Sequence, residues 1–589
     1  MKMPAMQAVV DVLESEGVEV VFGIPGAAIL PLYDALEPSP IRHITVRHEA
    51  GGCFAADGYA RTTGKVGVNL GTSGPAGTNM ITGLYTAQAD SIPLVCVTGQ
   101  AAVPNLHKEA FQALDIVSVA KPVTKWAVQL KEPAQAPWMF REAFRVARSG
   151  RPGAVLIDLP LDVTTQEIDY EPRVSRPLPV AAPEPAPEPI RAALEMLLDA
   201  ERPLIMSGGG VILGEAGDEL RALAEYLQIP VTITLMGKGS FPEDHPLFAS
   251  MAGLQTQTRW GNQIFLESDV VLAVGARFAE RHMGDPEVYR GDRRFIHIDI
   301  EPMQLGRVFE PDLGIVAHAR PALQALREQA SEMTPAREPG EWVARVDHLR
   351  STLTRRDDFD DVPIKPPRVY REMNEFFGRD TTFVTAIGLY QIWSGQFQRS
   401  FLPRRYLCCG QAGPLGWDVS AAMGAKIAHP ERLVVAVVGD YSFQFLMEQL
   451  AVAAQYQVPI VIVMINNVNL ALIRQAETNY DMRYGVDLDY SNPNAPDEAD
   501  DAGVDHCKIM EAFGCAARRV VEPDDIRPAL AWAVEQADRS SRPALVEVMI
   551  ERDALAAIGT SIDAIKEFEP PPQEAEAQEP EDVPAKAVG

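Results

Sequence analysis

The sequence predicts an α/β protein built from three doubly wound parallel-sheet domains. Three observations lead to this prediction. The chain has 589 residues, several times more than one hydrophobic core organises. Short runs of Val and Ile without polar alternation recur along it, which is typical of parallel strands covered by helices on both faces. Proline-containing breaks at about 166–190 and 333–368 interrupt the pattern and leave three blocks.

Each block carries its own strand signals. The first, residues 1–165, contains VGVNLG and IPLVCVTG; the second, residues 190–333, contains RPLIMSGGG, DVVLAVGAR and RFIHIDIEP; the third, residues 368–552, contains LVVAVVGD and VPIVIVMINN. We interpret each block as one α/β domain. The segment at about 166–190 is predicted to be an extended linker, because its prolines disfavour helices and central strands. The acidic tail, residues 566–589, is predicted to be disordered.

The first and third blocks share a faint internal repeat. SGRPGAVLIDLP (149–160) closes the first block as SSRPALVEVMIE (540–551) closes the third. TAQADSIPLVCVTG (86–99) similarly resembles AVAAQYQVPIVIVM (451–464). The outer blocks are therefore predicted to be two copies of one fold.

The charge balance excludes several classes of partner. Lys and Arg number 53 against 81 Asp and Glu, a net charge of -28 that repels nucleic acid and anionic membrane surfaces. No apolar run approaches 18 residues, and Asp11 and Glu14 interrupt the N-terminal segment where a signal peptide is apolar. We expect a cytoplasmic protein that acts on small molecules.

The most informative segment covers residues 434–469. One buried strand ends at Gly439 and Asp440, and a helix is expected from about Ser442. A second buried strand ends at Asn466 and Asn467, with 25 residues between Asp440 and Asn466. A strand–helix–strand unit brings two such strand ends together at the edge of the sheet where α/β proteins bind ligands.

The side chains at that edge suit a divalent metal. The Asp440 carboxylate, the Asn467 amide oxygen and the main-chain carbonyl of Asn469 are hard oxygen ligands suited to Mg²⁺ that also binds a diphosphate. Free N–H groups at the start of the following helix favour the same diphosphate. The spacing therefore predicts a diphosphate–metal site.

The middle block leaves two interpretations open. Gly208 to Gly210 follow a buried strand and Asp299 ends a later one, which suits close approach to a phosphate and binding of a ribose hydroxyl. The alternative is a tight turn without a ligand, since the glycines do not spell GxGxxG.

The Gly-Asp and Asn-Asn pair resembles the thiamine diphosphate signature, with Tyr441 in place of the usual third glycine. FGIPGAAILPLYDAL, LHKEAFQALDI, AIGLYQIW and CGQAGPLGWDV together resemble the acetohydroxyacid synthase group, and most closely its glyoxylate carboligases, over about residues 4–560. The resemblance implies a pyrimidine-binding (PYR) domain, a central domain that binds FAD without using its redox chemistry, and a diphosphate-binding (PP) domain.

VRHEAGGCFAADGYAR (46–61) matches the segment that supplies the glutamate of such enzymes. The resemblance implies that Glu49 hydrogen bonds to the aminopyrimidine ring and promotes removal of the thiazolium proton. Characterised glyoxylate carboligases carry valine at the matching position, so Glu49 is a departure from their pattern.

The resemblance also implies roles for further residues, through their positions in the matching segments. Gln112 and Leu415 are expected to join Glu49 in catalysis, with Leu415 as the apolar wedge that bends the cofactor. Implied contacts to thiamine diphosphate are Gly26, Thr72, Gly388, Leu415, Gly439, Tyr441 and Ser442, and those to FAD are Gly209, Arg277 and Asp299. Implied substrate contacts are Gly26, Ala27, Phe111, Leu470 and Ile473.

The segment 469–482 is expected to be a loop over the cofactor. Arg474 within it is expected either to pair with a 2-oxo acid carboxylate or to form a surface ion pair.

The expected activity is decarboxylation of glyoxylate and condensation with a second glyoxylate, giving tartronate semialdehyde and CO₂. Pyruvate as donor, as in acetolactate synthases, is the alternative. An oxidoreductase is disfavoured by the missing GxGxxG, and a non-catalytic subunit by the presence of Glu49, Asp440 and Asn467. A homodimer or homotetramer with active sites between subunits is implied.

Overall fold

The computed structural model describes residues 1–172, 177–489 and 503–569. Within them, three six-stranded parallel sheets are each covered by helices, which confirms the predicted fold class. None of the described helices combines the length and hydropathy that a membrane span requires. The boundaries of the three predicted domains stay predictions. The tail at 566–589 lies almost entirely outside the described residues.

The first sheet and its flanking pair form the N-terminal part of the chain. The strands are β1 (Lys2–Pro4), β2 (Val20–Gly23), β3 (Arg42–Thr45), β4 (Gly67–Gly71), β5 (Leu94–Gln100), β6 (Trp126–Gln129), β7 (Ala154–Pro160) and β8 (Glu167–Asp169). The helices are α1 (Ala5–Ser15), α2 (Leu30–Leu36), α3 (Glu49–Thr63), α4 (Pro75–Asp90), α5 (Ile116–Ala120), α6 (Ala136–Arg148) and α7 (Leu161–Thr164). The sheet order is β3-β2-β4-β5-β7-β6.

The central sheet is a second unit. Its strands are β9 (Pro203–Ser207), β10 (Val231–Ile233), β11 (Phe248–Met251), β12 (Val270–Val274), β13 (Arg294–Asp299) and β14 (Leu313–Val316). Its helices are α8 (Pro187–Asp199), α9 (Gly209–Leu213), α10 (Gly217–Leu227), α11 (Arg259–Glu267), α12 (Glu280–Met283), α13 (Pro286–Arg290), α14 (Ala319–Met333) and α15 (Glu341–Leu353). The order β11-β10-β9-β12-β13-β14 is the 3-2-1-4-5-6 order of Rossmann folds.

The third sheet completes the molecule. Its strands are β15 (Thr382–Thr385), β16 (Tyr406–Cys408), β17 (Val434–Gly439), β18 (Val461–Asn466), β19 (Ala516–Val520) and β20 (Ala544–Met549), followed by the hairpin β21 (Ile558–Ser561) and β22 (Ala564–Lys566). The helices are α16 (Pro366–Phe376), α17 (Leu389–Phe397), α18 (Trp417–Ala428), α19 (Asp440–Gln444), α20 (Gln449–Gln455), α21 (Ala471–Tyr480), α22 (His506–Ala512) and α23 (Ile526–Ser540). The sheet order is β16-β15-β17-β18-β20-β19.

The two outer sheets have the same topology. Ranked along the chain, the strands of each outer sheet follow the order 2-1-3-4-6-5. The repeat seen in the sequence is therefore a repeat of a whole domain.

Three sequence predictions differ from the structure. The segment predicted as an extended linker contains β8, which pairs antiparallel with β1, and its last prolines begin α8, where proline is tolerated. The helix expected from about Ser442 begins two residues earlier, at Asp440, and ends at Gln444 because Phe445 adopts an extended conformation with ψ 123°. The predicted loop at 469–482 contains α21, whose sequence ALIRQAETNY has no glycine or proline to end a helix.

The hydrophobic core joins the outer domains. One continuous cluster of buried residues includes side chains from both outer domains, among them Phe54 and Met80 on α3 and α4 and Trp393 and Trp417 on α17 and α18. The central domain has a separate core around its own sheet. The outer domains thus share an interior although the central domain separates them along the chain.

Close contact of α3 with α18 forms the centre of that interior. A Cβ added to Gly58 would overlap the backbone oxygen of Ala421, and one added to Gly424 would overlap that of Ala55. The helix backbones therefore meet without intervening side chains. His48 caps α3 by accepting a hydrogen bond from the Ala50 N–H at 3.1 Å, which fixes where this helix begins.

We predict that Gly424→Ala lowers the melting temperature of the outer domains. Overpacking costs about 1–3 kcal/mol and outweighs the gain of about 1 kcal/mol in helix propensity. Differential scanning calorimetry measures the effect. Gly340→Ala is the control, because nothing lies within 4 Å of its added Cβ. An unchanged transition in Gly424→Ala would contradict the close contact.

Candidate active site

Glu49 lies at the start of α3 beside the end of β4. Its residue is 8% exposed, and Asn79 Nδ2 on α4 donates to Glu49 Oε2 at 2.9 Å. No described side chain or backbone group donates to Oε1. A Cβ added to Gly71 would lie 3.6 Å from Glu49 Cγ. The carboxylate is therefore held by one oxygen and can accept or share a proton with a ligand through the other.

Three further predicted residues lie at the same edge of the PYR sheet. A Cβ on Gly26 would overlap the side chain of Thr72, so the turn after β2 packs against the turn after β4. Ser73 Oγ donates to Gln112 Oε1 at 3.3 Å, and Gln112 adopts φ +57° next to Gly74.

Ala27 and Phe111 are exposed, with Phe111 87% exposed. The structure thus groups Gly26, Thr72 and Gln112 together and places Phe111 at the protein surface.

The loop that carries Phe111 and Gln112 is held by a buried carboxylate that the sequence analysis missed. Asp158 on β7 accepts hydrogen bonds from Thr98, Gln100 and Gln129 at 2.8, 3.2 and 2.8 Å. The Gln100 amide also donates to the Leu114 carbonyl at 2.7 Å. Burial raises the pKa of Asp158 to about 6. An aspartate inside the apolar run VLIDLP could have indicated a buried carboxylate, but its hydrogen-bond partners lie 29 to 60 residues away in the sequence.

Asp440 and the turn after β18 form one unit, as the strand order predicts. Asp440 Oδ1 accepts from the Tyr441 N–H at 2.9 Å and Oδ2 from the Val468 N–H at 2.8 Å. Asn469 Nδ2 donates to the Asn467 carbonyl at 3.0 Å, and Asn469 Oδ1 is buried without a described partner. All three predicted metal ligands are buried.

This donor set fits Mg²⁺. One carboxylate with amide and carbonyl oxygens is a hard-oxygen site, and the unpaired Asn469 Oδ1 is a buried acceptor whose desolvation a cation would compensate. No group of three or more His, Cys, Asp or Glu that could hold a metal occurs in the described ranges.

A second group of polar residues supports the turn at Gly439. A Cβ on Gly439 or Gly388 would lie 2.7 Å from the Tyr390 ring. Tyr390 Oη and Ser442 Oγ donate to Asp418 Oδ2 at 3.0 and 3.1 Å. Burial raises the pKa of Asp418 to about 6. Sequence reasoning missed Tyr390 and Asp418, although both lie in segments that carried the resemblance.

The half-buried Leu415 lies next to that group. The N–H of the following residue, Gly416, donates to Ser442 Oγ at 3.0 Å. The structure therefore connects the predicted wedge residue to α19, which begins at Asp440.

Helix α21 carries the residues expected to shape the substrate pocket. Leu470 precedes the helix and is half-buried, whereas Ile473 is 37% exposed. Arg474 pairs with Asp489 and, at 3.0 Å, with Asp553. Of the two roles expected for Arg474, the structure contains the surface ion pair.

A cavity of about 420 Å³ lies where the three domains meet. Gly209, Arg277 and Asp299, predicted as flavin contacts, all line it. It opens at the switch point of the central sheet, between β9 and β12, where a Cβ on Gly208 would overlap the Gly275 backbone.

Six arginines make the walls of this cavity cationic, whereas two aspartates, Asp90 and Asp299, are its acidic lining residues. The arginines are Arg61, Arg148, Arg151, Arg277, Arg281 and Arg404. Burial raises the pKa of Asp299. Close backbone approach, guanidinium groups and an acidic residue at a strand end fit a dinucleotide such as FAD.

Comparison with known proteins places this geometry in a family. Three family models described as "Thiamine pyrophosphate enzyme" match the chain. The model of the N-terminal TPP binding domain matches residues 3–119, that of the central domain residues 190–326, and that of the C-terminal TPP binding domain residues 386–548.

Curated relatives match nearly the whole chain. It is 50% identical over 573 residues to "Glyoxylate carboligase" of Escherichia coli O157:H7, covering 96% of each chain. It is 37% identical to "Probable acetolactate synthase large subunit" of Methanocaldococcus jannaschii, over 93% of this chain and 92% of the relative. It is also 37% identical to "Acetolactate synthase large subunit" of Corynebacterium glutamicum, over 94% and 88%.

The confirmed α/β fold, the paired Asp440 and Asn467 turns and the whole-length matches agree with one another. The chain is an enzyme that belongs to the thiamine pyrophosphate-dependent family, in the group that includes glyoxylate carboligase and the acetolactate synthases.

Proposed function

We propose that the protein is a thiamine diphosphate- and Mg²⁺-dependent carboligase that converts two molecules of glyoxylate to tartronate semialdehyde and CO₂. The proposal depends on the fact that one chain contains both halves of a thiamine diphosphate site. Glu49 with Asn79 lies at the carboxyl edge of the first sheet, and Asp440 with the turn after β18 lies at the equivalent edge of the third sheet. The 50% identity to an E. coli protein named glyoxylate carboligase supports the choice of substrate. Relatives named acetolactate synthase support pyruvate as the alternative donor.

The PP domain would hold the diphosphate end of the cofactor. Asp440, Asn467 and Asn469 would bind Mg²⁺ through oxygen atoms, and Gly388, Gly439, Tyr441 and Ser442 would surround the diphosphate. When bound, thiamine diphosphate supplies the electron sink that decarboxylation of a 2-oxo acid requires. Tyr390, Asp418 and Ser442 would keep the turn at Gly439 in place through their shared hydrogen bonds.

The PYR domain would act on the aminopyrimidine end. Glu49 Oε1 would hold a proton at the ring N1′ while Asn79 keeps Oε2 in position. Gln112, whose amide is fixed by Ser73, would face the substrate together with Gly26, Ala27 and Phe111. Leu415, Leu470 and Ile473 would form the apolar wall that excludes water.

Active sites would form between two chains. Phe111 is 87% exposed and Ala27 is also exposed, although both are expected substrate contacts. A second chain that brings its PP domain to this face would bury them. We therefore propose a homodimer, or a homotetramer built from such dimers.

FAD would occupy the central cavity and stabilise the structure without a redox role. Gly209, Arg277 and Asp299 line this cavity. Two glyoxylates give tartronate semialdehyde and CO₂ with uptake of one proton, so the reaction balances without electron transfer.

We predict that glyoxylate is consumed about 10-fold faster or more than pyruvate, the discrimination that one extra carbon supports. CO₂ release from each substrate, with product identification, measures this in enzyme supplied with thiamine diphosphate, Mg²⁺ and FAD. Asp440→Ala is the control and should abolish both reactions. Faster formation of acetolactate from pyruvate would refute glyoxylate as the substrate.

We predict that mixing Glu49→Gln chains with Asp440→Ala chains restores activity. Each variant lacks one half of the site, and random exchange in a symmetric dimer leaves about a quarter of the sites intact. Activity after verified subunit exchange measures this. Mixing two Asp440→Ala preparations is the control. Sites built within one chain would give no recovery.

We predict that Glu49→Val slows exchange of the C2 proton of bound thiamine diphosphate by about 10²- to 10⁴-fold, because positioned proton transfer contributes that much. Product formation should fall less, since proton removal is one of several steps. Deuterium quench with NMR, beside steady-state rates, measures both. Glu49→Gln keeps the side-chain volume and serves as the matched comparison. Unchanged exchange in Glu49→Val would show that Glu49 does not contact the pyrimidine.

A further inference from the structure

Asp90 occupies the point where the three domains meet. It ends α4, and its side chain is completely buried. Asp90 Oδ2 accepts from the Gly410 N–H at 2.8 Å and from Arg61 Nη2 at 3.0 Å, while Oδ1 accepts from the Gln411 N–H at 3.0 Å. Hydrogen bonds to an ionised acceptor are about twice as strong as neutral ones. Asp90 therefore fixes two successive backbone amides of the PP domain from the PYR domain.

The groups that Asp90 binds lead to the two proposed thiamine sites to which one chain contributes: Gly410 and Gln411 to the site with its own Asp440, and Arg61 to the site with its own Glu49. Gly410 and Gln411 begin the short segment that ends at Leu415 and continues into α18. Arg61 projects from α3, the helix whose first residue is Glu49. One carboxylate thus contacts two of the elements that carry residues proposed to touch thiamine diphosphate.

The same carboxylate belongs to the wall of the central cavity. Arg277 Nη2 lies 3.7 Å from Asp90 Oδ1, and Arg277 also donates to the Ala89 carbonyl. Gly410 and Gln411 line the cavity themselves. A ligand in the cavity would therefore lie next to Asp90 and next to Gly410 and Gln411, the residues whose N–H groups donate to it.

Asp57 provides an internal comparison. It lies on α3, is fully buried, and binds the same Arg61, while Trp417 Nε1 donates to it at 3.1 Å. Asp57 does not line the cavity and has no hydrogen bond to the described 410–415 segment. A role limited to packing the domains together applies equally to both aspartates. Asp90 itself lines the cavity, whereas Asp57 reaches it only through Arg61.

We infer that Asp90 is a positioning residue through which a dinucleotide bound in the central cavity holds the segment from Gly410 to Leu415 in the geometry that thiamine diphosphate binding requires. The inference rests on the proposed function, which places FAD and thiamine diphosphate in these two sites. In this inference, bound FAD strengthens the binding of thiamine diphosphate, because Asp90 holds the Gly410 and Gln411 amides in place. Coupling between two sites is reciprocal, so each ligand should strengthen the binding of the other.

The test measures binding by the full-length chain stripped of its cofactors. Titration calorimetry determines the affinity for thiamine diphosphate in excess Mg²⁺, with and without saturating FAD. We expect FAD to strengthen binding at least about fivefold in the wild type. Asp90→Asn should still bind FAD but reduce that factor to less than about twofold. The Gly410 and Gln411 N–H groups donate to different carboxylate oxygens, and the amide nitrogen that replaces one oxygen cannot accept a hydrogen bond. Asp57→Asn should lower the melting temperature and keep the coupling.

Three results would overturn the inference: equal affinities with and without FAD in the wild type, full coupling in Asp90→Asn, or equal loss of coupling in Asp57→Asn. If FAD does not bind the wild type at all, the proposed flavin site itself fails, which is a distinguishable result. If Asp90→Asn does not fold, hydrogen exchange in the wild type decides. FAD should then slow exchange of the Gly410 and Gln411 amides, and unchanged exchange would overturn the inference.

Discussion

The arrangement of the domains depends on the buried guanidinium of Arg61. It lies between the carboxylates of Asp57 and Asp90, donates to the Cys408 carbonyl at 2.7 Å and lies over the Trp417 ring at 5.1 Å. A buried charge is tolerated only when it is paired and its hydrogen-bonding groups are satisfied. These contacts come from α3, α4, β16 and α18, so the charge is satisfied only when both outer domains are in place. The close approach of α3 to α18 makes the pairing geometrically possible, because bulky side chains between the helices would separate them.

The two outer domains show how one topology supports two kinds of chemistry. The third strand of each sheet ends in a glycine, Gly71 in one and Gly439 in the other, and the chain turns directly afterwards. In the PYR domain the turn continues with Thr72 and lies beside the Glu49 carboxylate. In the PP domain it continues with Asp440, whose Oδ2 accepts from the Val468 N–H in the neighbouring turn after β18. The shared backbone thus provides two pockets at equivalent sheet edges, and the residue after the glycine separates their roles.

The sequence predicted those features whose determinants are close together along the chain. The spacing of Asp440 and Asn467 identified two neighbouring strand ends because a strand–helix–strand unit has a narrow range of lengths. Asp90, Asp158 and Asp418 were not identified, because each acts through partners from 24 to 321 residues away, as in Asp418 with Ser442 and Asp90 with Gln411. The segment of α21 was predicted to be a loop because it directly follows the expected metal ligands, although its residues favour a helix.

The core shared by the outer domains also affects how the chain is made. Protein synthesis delivers the PYR domain first, then the central domain, and only afterwards the strands that complete the common interior. Until α18 emerges from the ribosome, the face of α3 that packs against α18 has no partner. Arg61 then also lacks its contact with the Trp417 ring. The core of the central domain, apart from Ile562 in the last turn of the chain described, is translated earlier. The nascent chain therefore exposes apolar surface for the time needed to translate the intervening residues, a period in which chaperones protect such surfaces from aggregation.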